Sequence, residues 1–215
     1  MAIKIETVVV GAYQVNCYLV WEESKAEGVI IDPGDQAELI RSGIDRAGFK
    51  PRAVMLTHGH FDHLMAVEEL RSTYQIPLYA GKGELDLLTK PELNGSALFG
   101  ARVMLAEPEY LLEDEAPVSV GPINFRVLAT PGHSPGGICF LHETEGVLFC
   151  GDTLFAQSVG RTDLPGGSME TLLHSIQTKI MKLPESVVCY PGHGSATTVG
   201  AEKTGNLFLN GINFA

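Results

Sequence analysis

The stretch Thr57-His58-Gly59-His60-Phe61-Asp62-His63, THGHFDH, directly follows the short apolar run AVML at 53–56. Three imidazoles and one carboxylate therefore stand beside a segment that is typical of a buried strand. Polar side chains are costly to bury without partners, so this cluster needs one partner that binds all four. A divalent metal ion meets that need, because imidazole and carboxylate are common metal ligands. The stretch predicts a metal site in the loop after a core strand.

The apolar pattern around this stretch predicts two similar halves. In the first half we expect strands at 3–10, 14–21, 27–32 and 53–56, with helices at 36–48 and 64–74. In the second half we expect strands at 77–80, 117–120, 122–129, 137–142, 146–150 and 187–190, with helices at 82–89 and 168–182. The stretch from 90 to about 115 is predicted to be irregular, and the last twenty residues give weak signals. Strands followed by helices, twice over, predict one α/β domain over 1–215, a four-layer αββα sandwich.

Composition narrows the possible partners. The 215 residues are 45% hydrophobic and carry a formal charge of −11, which opposes the attraction to phosphates that dominates nucleic-acid binding. The sequence shows no apolar run near the ~20 residues of a membrane span, and its start, MAIKIETVVVGAY, lacks the organisation of a secretion signal. We therefore expect a cytoplasmic protein that acts on a small molecule and binds neither nucleic acid nor membrane.

Three further polar residues stand just after predicted strands, each beside a glycine. They are His133 in PGHS at 131–134, Asp152 in GDT at 151–153 and His193 in PGHG at 191–194. Loops at strand ends meet at one edge of a layered α/β fold, where ligand sites are usually built. Glycine lets the backbone turn sharply and approach an ion closely. We expect these residues to join the motif in one site.

Together these residues supply five imidazoles and two carboxylates, more than the four ligands of a closed structural zinc site. Two divalent ions are therefore predicted, with zinc expected, although nitrogen and oxygen ligands also suit iron or manganese. The predicted ligands of the first ion are His58, His60 and His133. Those of the second ion are Asp62, His63 and His193. Asp152 is expected to bridge the ions together with a solvent hydroxide, at the ~3.5–4 Å separation of two-metal hydrolytic sites.

Four other residues have side chains that could in principle join this site. His142 and His174 lack motif neighbours and are predicted to be ordinary packed or surface histidines. Cys150 lies two residues before Asp152, but it stands in an apolar, strand-like segment and is predicted to be a small buried thiol. Asp32, in IDPG, is either a turn residue or an acceptor that orients a ligand imidazole.

The pattern His-x-His-x-Asp-His, followed by separate His, Asp and His residues, resembles the metallo-β-lactamase fold superfamily. GDTLF at 151–155, GRTD at 160–163 and the segment 198–206 are similar to the glyoxalase II-like branch, and most similar to its short bacterial members. The resemblance implies the αββα fold and hydrolysis of S-2-hydroxyacylglutathione. Asp62 and Asp152 are the predicted catalytic carboxylates. The chemistry agrees, since a thiolate leaves with little help whereas an amide nitrogen must be protonated.

The substrate is less defined than the reaction. Longer glyoxalase II enzymes hold glutathione with a basic residue, tyrosines and an added helical region. Here Arg161 stands at the basic position, whereas Asp163 and Ser195 replace aromatic contacts and the helical region is missing. Arg161 either binds a substrate carboxylate or pairs with Asp163.

The main alternative is a persulfide dioxygenase, which shares the fold and a similar GRTD segment. Such an enzyme would bind one iron through the equivalents of His58, His133 and Asp152. A zinc β-lactamase is disfavoured, because the common forms have cysteine where Asp152 stands. A non-catalytic metal-binding module would have no open coordination position.

Overall fold

The first sheet of the structure, a computed structural model that describes residues 2–210, has six strands in sequence order. These are β1 Ile3–Val10, β2 Val15–Glu22, β3 Glu27–Ile31, β4 Lys50–Met55, β5 Leu78–Gly81 and β6 Tyr110–Leu112. The first three strands form an antiparallel meander, and β4 to β6 extend the sheet in parallel. The predicted domain limits of 1 and 215 lie outside the described residues.

The second sheet also has six strands, in the order β14-β13-β10-β9-β8-β7. They are β7 Pro117–Val120, β8 Ile123–Ala129, β9 Ile138–His142, β10 Val147–Gly151, β13 Val188–Pro191 and β14 Thr197–Thr198. A separate two-stranded ribbon, β11 Leu154–Phe155 and β12 Ser158–Val159, follows β10. The ribbon turns the chain back after Asp152, at the edge where the candidate site lies.

Five α-helices accompany the sheets within residues 2–210. They are α1 Ala37–Ala47, α2 Val67–Tyr74, α3 Leu85–Thr89, α4 Met169–Ser175 and α5 Val199–Gly205. The C-cap residue of α1 is Gly48, whose left-handed φ of 68° lets its N–H donate to the Ile44 carbonyl. The helix predicted at 168–182 is α-helical only to Ser175 and continues as a π-helical segment, Ile176–Ile180. No helix in the described part of the chain is long and apolar enough to cross a membrane.

Three hydrophobic layers hold the sheets and helices together. Along β2, Leu19 packs with α1 and α2 on one face, while Val20 faces the second sheet. Along β10, Phe149 faces the first sheet, while Leu148 packs with α4 and α5. Both faces of each sheet are therefore buried, as the continuous apolar runs indicate. The layers form the predicted αββα sandwich.

Several short elements differ from the predictions. The stretch predicted to be irregular contains β6 and a 3-10 turn at Ser96–Phe99. The weakly patterned end of the chain contains β14 and α5. These strands have only two or three residues, so their existence depends on pairing with β5 and β13 rather than on a local apolar period.

Candidate metal centre

All seven predicted ligands lie at one edge of the two sheets. The motif loop follows β4 and includes a 3-10 turn at Phe61–His63, which delays the start of α2 to Val67. The other three residues follow β8, β10 and β13, as their positions after strands predict. An isolated bridge between Val15 and His193 joins the last loop to the first sheet. The fold therefore brings loops from both sheets to one place.

The first group of converging side chains consists of His58, His60 and His133. All three are buried, and one ring nitrogen of each lies within 4.8 Å of the others. Nδ1 of His60 and Nε2 of His133 approach to 2.8 Å. These three nitrogens could hold one metal ion.

The second group consists of Asp62, His63 and His193. Their potential ligand atoms also lie within 4.8 Å of one another. Nε2 of His193 lies 3.4 Å from Oδ2 of Asp62, and Nε2 of His63 lies 3.9 Å from the same oxygen. This group could hold a second ion.

Asp152 lies between the two groups. Its Oδ1 is 3.6 Å from Nε2 of His63, and its Oδ2 is 3.6 Å from Nε2 of His133. Oδ2 also lies 3.5 Å from Nε2 of His193. One carboxylate thus contacts histidines of both groups, which is the arrangement that a bridging ligand requires.

The polar atoms at this centre fit a pair of cations. Among the described residues, Nε2 of His58, Nε2 of His63 and Oδ1 of Asp152 are buried without a hydrogen-bond partner. Buried polar atoms without partners are rare and need compensation. A Cβ on Gly192 would lie 2.1 Å from Oδ1 of Asp152. Any residue other than glycine would therefore clash with this oxygen. The cluster of imidazole and carboxylate groups suits divalent metals.

The remaining ring nitrogens of two histidines contact backbone carbonyls. Nδ1 of His133 lies 2.7 Å from the Arg161 carbonyl, and Nδ1 of His193 lies 2.9 Å from the Tyr13 carbonyl. Because a carbonyl can only accept, each Nδ1 must carry the proton. When such a ring is neutral, its Nε2 therefore carries the lone pair that is directed into the centre, as a metal ligand requires.

Asp32 fulfils the orienting role that the sequence left open. Its Oδ1 accepts the Thr57 backbone N–H at 2.8 Å, and its Oδ2 accepts the Thr57 hydroxyl at 2.6 Å. The same Oδ2 lies 3.2 Å from Nδ1 of His63, on the ring edge opposite Nε2. Asp32 also has a left-handed φ of 49°, so it is a turn residue as well. We interpret it as a brace for His63 rather than a ligand.

Glu84 is a functional candidate that the sequence analysis missed. It is fully buried, and its two carboxylate oxygens accept the backbone N–H groups of Gly59 and Gly136, each at 2.5 Å. Burial raises the pKa of Glu84, although these two N–H groups favour the charged form. Gly59 separates His58 from His60, so Glu84 ties the motif loop to the loop after His133. Its place in a predicted helix gave no sign of this, since glutamate there usually faces solvent.

Burial and neighbouring charges shift the pKa values of the two groups in different directions when no ion is bound. Burial lowers the pKa of His58 well below its usual value and that of His60 to about 3, so these imidazoles are neutral. Burial also opposes charge on His63, but the carboxylates of Asp62 and Asp152 outweigh it and raise the pKa of His63 to about 10. Burial raises the pKa of Asp62, but His63 and His193 outweigh this effect and lower it. In the first group His58 and His60 therefore offer neutral donors, whereas the second group is an ion-paired set.

The other residues that the sequence singled out make contacts outside the two ligand groups. Cys150 is buried in the layer beneath α4, and its thiol donates to the Leu154 carbonyl at 3.3 Å. Nδ1 of His142 accepts the Glu145 N–H at 3.3 Å, and His174 lies in α4. In the described part of the chain, none of these three residues belongs to a group of converging ligand atoms.

A cleft of about 510 Å³ opens onto the centre and is lined by residues of both groups. Arg161 stands at its rim, and its guanidinium pairs with Asp163 through two hydrogen bonds of 2.7 and 2.8 Å. Of the two predicted roles for Arg161, the ion pair is thus formed in this structure. Arg161 nevertheless remains one of the residues that line the cleft.

These features define a class of protein. The sequence profile of the metallo-beta-lactamase superfamily matches residues 10–193, from the end of β1 to the last histidine of the centre. The chain belongs to this superfamily. One of its relatives is named a probable metallo-hydrolase.

Two relatives are similar along nearly their whole length. The chain is 38% identical to a probable metallo-hydrolase, YqgX, of Bacillus subtilis over 205 residues, which cover 95% of this chain and 96% of the relative. It is also 38% identical to the hydroxyacylglutathione hydrolase GloC of Haemophilus influenzae over 210 residues, 96% of this chain and 98% of the relative. The chain is thus a short, glyoxalase II-like member of the superfamily.

Two solved structures share this fold closely. The B3 metallo-beta-lactamase BLEG-1 superposes with a TM-score of 0.92 at 43% identity, covering 97% of this chain and all of that chain. The protein TTHA1623, solved in a di-iron-bound form, superposes with a TM-score of 0.85 at 36% identity, covering 95% of this chain and all of that one.

Proposed function

We propose that the chain is a binuclear metal-dependent thioester hydrolase of the hydroxyacylglutathione hydrolase type. The observation that carries the proposal is the position of Asp152, whose two oxygens contact histidines of separate ligand groups. A single ion would need only one of these groups, and the other would remain a partly buried cluster of potential ligand atoms without an ion. The name of the GloC relative supports the thioester as substrate.

The seven residues would hold two divalent ions, with zinc as the proposed metal and iron or manganese as alternatives. Ions bound there would polarise the substrate carbonyl and lower the pKa of a water from about 15.7 to ~7. Asp62 lines the cleft, and despite burial its pKa is held low by His63 and His193, so its carboxylate is ionised. That carboxylate can accept a hydrogen bond from the attacking water and orient it.

The reaction needs few further groups. A water oxygen adds to the carbonyl carbon, the C–S bond breaks, and the departing thiolate takes up a proton from that water, which gives a carboxylic acid and a free thiol. A thiol has an ordinary pKa of ~8.5, so it leaves as the thiolate without a dedicated general acid. An amide nitrogen would need protonation. The residues that line the cleft therefore suit a thioester better than a β-lactam, the substrate class that the name of BLEG-1 implies for that protein.

Metal analysis combined with a substrate panel tests the proposal. We expect about two metal ions per chain and hydrolysis of acyl thioesters, followed as thiol release with a colorimetric reagent. The panel includes S-lactoylglutathione, a β-lactam and glutathione persulfide. One iron per chain with oxygen uptake and sulfite formation from the persulfide would replace the proposal with the dioxygenase alternative.

A further inference from the structure

We infer that the cleft binds a thioester through an apolar, ring-sized group of the substrate and prefers such substrates to S-lactoylglutathione. The inference rests on the metal-dependent thioester hydrolysis of the proposed function, and it differs from the name of the GloC relative in the thioester that is preferred. It follows from the side chains that line the cleft, from their place beside the metal centre and from the charge at the rim.

One side of the cleft is an aromatic wall, which we define as Tyr13, Phe61 and Phe99. The ring centroids of Tyr13 and Phe61 are 5.3 Å apart, those of Phe61 and Phe99 are 5.3 Å apart, and those of Tyr13 and Phe99 are 5.8 Å apart. Each pair lies within the range of favourable aromatic contact. Phe61 is buried, so the wall is anchored in the protein at one end.

The other end of the aromatic wall is exposed. Phe99 is 63% exposed and its neighbour Leu98 is 72% exposed, both on the 3-10 turn Ser96–Phe99. Large exposed apolar side chains that border a concave pocket are typical of ligand-binding grooves. An apolar substrate group would cover these rings and remove their surface from water, which favours binding.

The aromatic wall is joined to the second ligand group. Phe61 stands between His60 and Asp62 in the motif, and the Tyr13 carbonyl accepts the N–H of the His193 ring. Phe155 also lines the cleft, and its ring lies 6.3 Å from the His193 imidazole between centroids. A group bound against these rings is therefore adjacent to the bond to be cleaved.

The rim of the cleft is poorly suited to glutathione. Within residues 2–210, Arg161 is the only lysine or arginine that lines the cleft, and its guanidinium is already paired with Asp163. A glutathione moiety carries two carboxylates, and each would compete with Asp163 for this one cation. The chain as a whole carries a formal charge of −11, which adds repulsion rather than attraction. The charge pattern thus favours an uncharged substrate group over glutathione.

Four thioesters test the inference on the metal-loaded protein. They combine a lactoyl or a phenylacetyl group with glutathione or benzyl mercaptan. We expect kcat/KM for at least one thioester that carries a phenyl ring to exceed that for S-lactoylglutathione by roughly tenfold or more. Phe99→Ala should remove most of this difference by lowering kcat/KM for the phenyl-bearing thioester that shows it. Leu207→Ala is the matched control, because Leu207 is 79% exposed and lies outside the cleft.

Binding without turnover separates this inference from the proposed function. Titration calorimetry of the metal-loaded protein with the thioether benzyl phenethyl sulfide, which cannot be hydrolysed, should show binding that Phe99→Ala weakens and Leu207→Ala does not. If this binding occurs but no thioester is hydrolysed, the proposed function fails and the apolar site stands. If S-lactoylglutathione is the best substrate and Phe99→Ala lowers all four rates equally, the inference is wrong and the hydrolase stands. If neither binding nor hydrolysis occurs, both are wrong.

Discussion

Oδ2 of Asp32 lies 3.2 Å from Nδ1 of His63, on the ring edge opposite the nitrogen that faces the metal centre. Asp32 is itself fixed by the backbone and hydroxyl of Thr57. The contact therefore sets the orientation of a predicted ligand of the second ion from outside the coordination shell. Such supporting contacts are typical of metal-binding histidines.

Asp32→Asn should weaken binding of the second ion by roughly 10- to 100-fold while the first ion is retained, because an amide orients His63 less well than a carboxylate. Competition with a chromophoric chelator measures both affinities. Asp45→Asn, at an exposed position in α1, is the matched control. Equal loss of both ions in Asp32→Asn would show that Asp32 supports the fold of the whole loop rather than one ligand.

Glu84→Gln should lower the free energy of unfolding by about 1–3 kcal/mol, because the amide has one accepting oxygen for two buried N–H groups. These belong to Gly59 and Gly136, so the variant should also bind the first ion more weakly. Denaturant unfolding and chelator competition measure the two effects. The control is Asp86→Asn, an exposed carboxylate on the next turn that pairs with Lys90. Unchanged stability in Glu84→Gln would contradict the role of Glu84 in joining the motif loop to the loop after His133.

Gly192→Ala should disrupt the centre without a change of charge. The added Cβ would lie 2.1 Å from Oδ1 of Asp152 and 2.7 Å from Cε1 of His63, so one of these ligands must move. A displacement of about 1 Å can reduce catalysis by ~100-fold, and we expect a loss of that order in thioester hydrolysis. Gly205→Ala serves as control, since its Cβ would meet only the mobile end of Gln157. Full activity in Gly192→Ala would refute the predicted geometry.

The ion-free protein should bind its second ion more tightly as pH rises. Burial opposes charge on His63, but Asp62, Asp152 and Asp32 raise its pKa to about 10, above the ~6.5 of an unfolded chain. Protonated His63 thus stabilises the ion-free fold fully below pH ~6.5, and this contribution disappears as pH rises through about 10. A metal must displace that proton.

Calorimetric titration of zinc into the ion-free protein at pH 8, in buffers of different ionisation enthalpy, measures the displaced proton. We expect about one proton to be released from His63 when the second ion binds. The absence of proton release at this pH would mean that His63 is neutral before the metal arrives.

The sequence was sufficient for the features that depend on strong local signals. The apolar runs of β1 to β4 and β7 to β10 predicted both sheets, and the glycine-flanked residues after strands predicted which side chains converge. Asp152 illustrates the reason, because a polar residue directly after a buried strand lies in the loop at the shared sheet edge.

The features that were missed depend on contacts between distant parts of the chain. Glu84 receives its hydrogen bonds from residues 25 and 52 positions away, which no local pattern encodes. The strands β6 and β14 are too short for a period and exist through their partners. The choice between a brace and a turn residue at Asp32 likewise needed the position of His63, 31 residues further on.

The most direct test of the account is the metal content of Asp152→Ala beside that of the parent protein. Because Asp152 contacts histidines of both ligand groups, its loss should reduce the bound metal from about two ions per chain to well below that value and abolish thioester hydrolysis. Asp45→Ala should match the parent. Two ions per chain and normal hydrolysis in Asp152→Ala would contradict the shared-ligand centre.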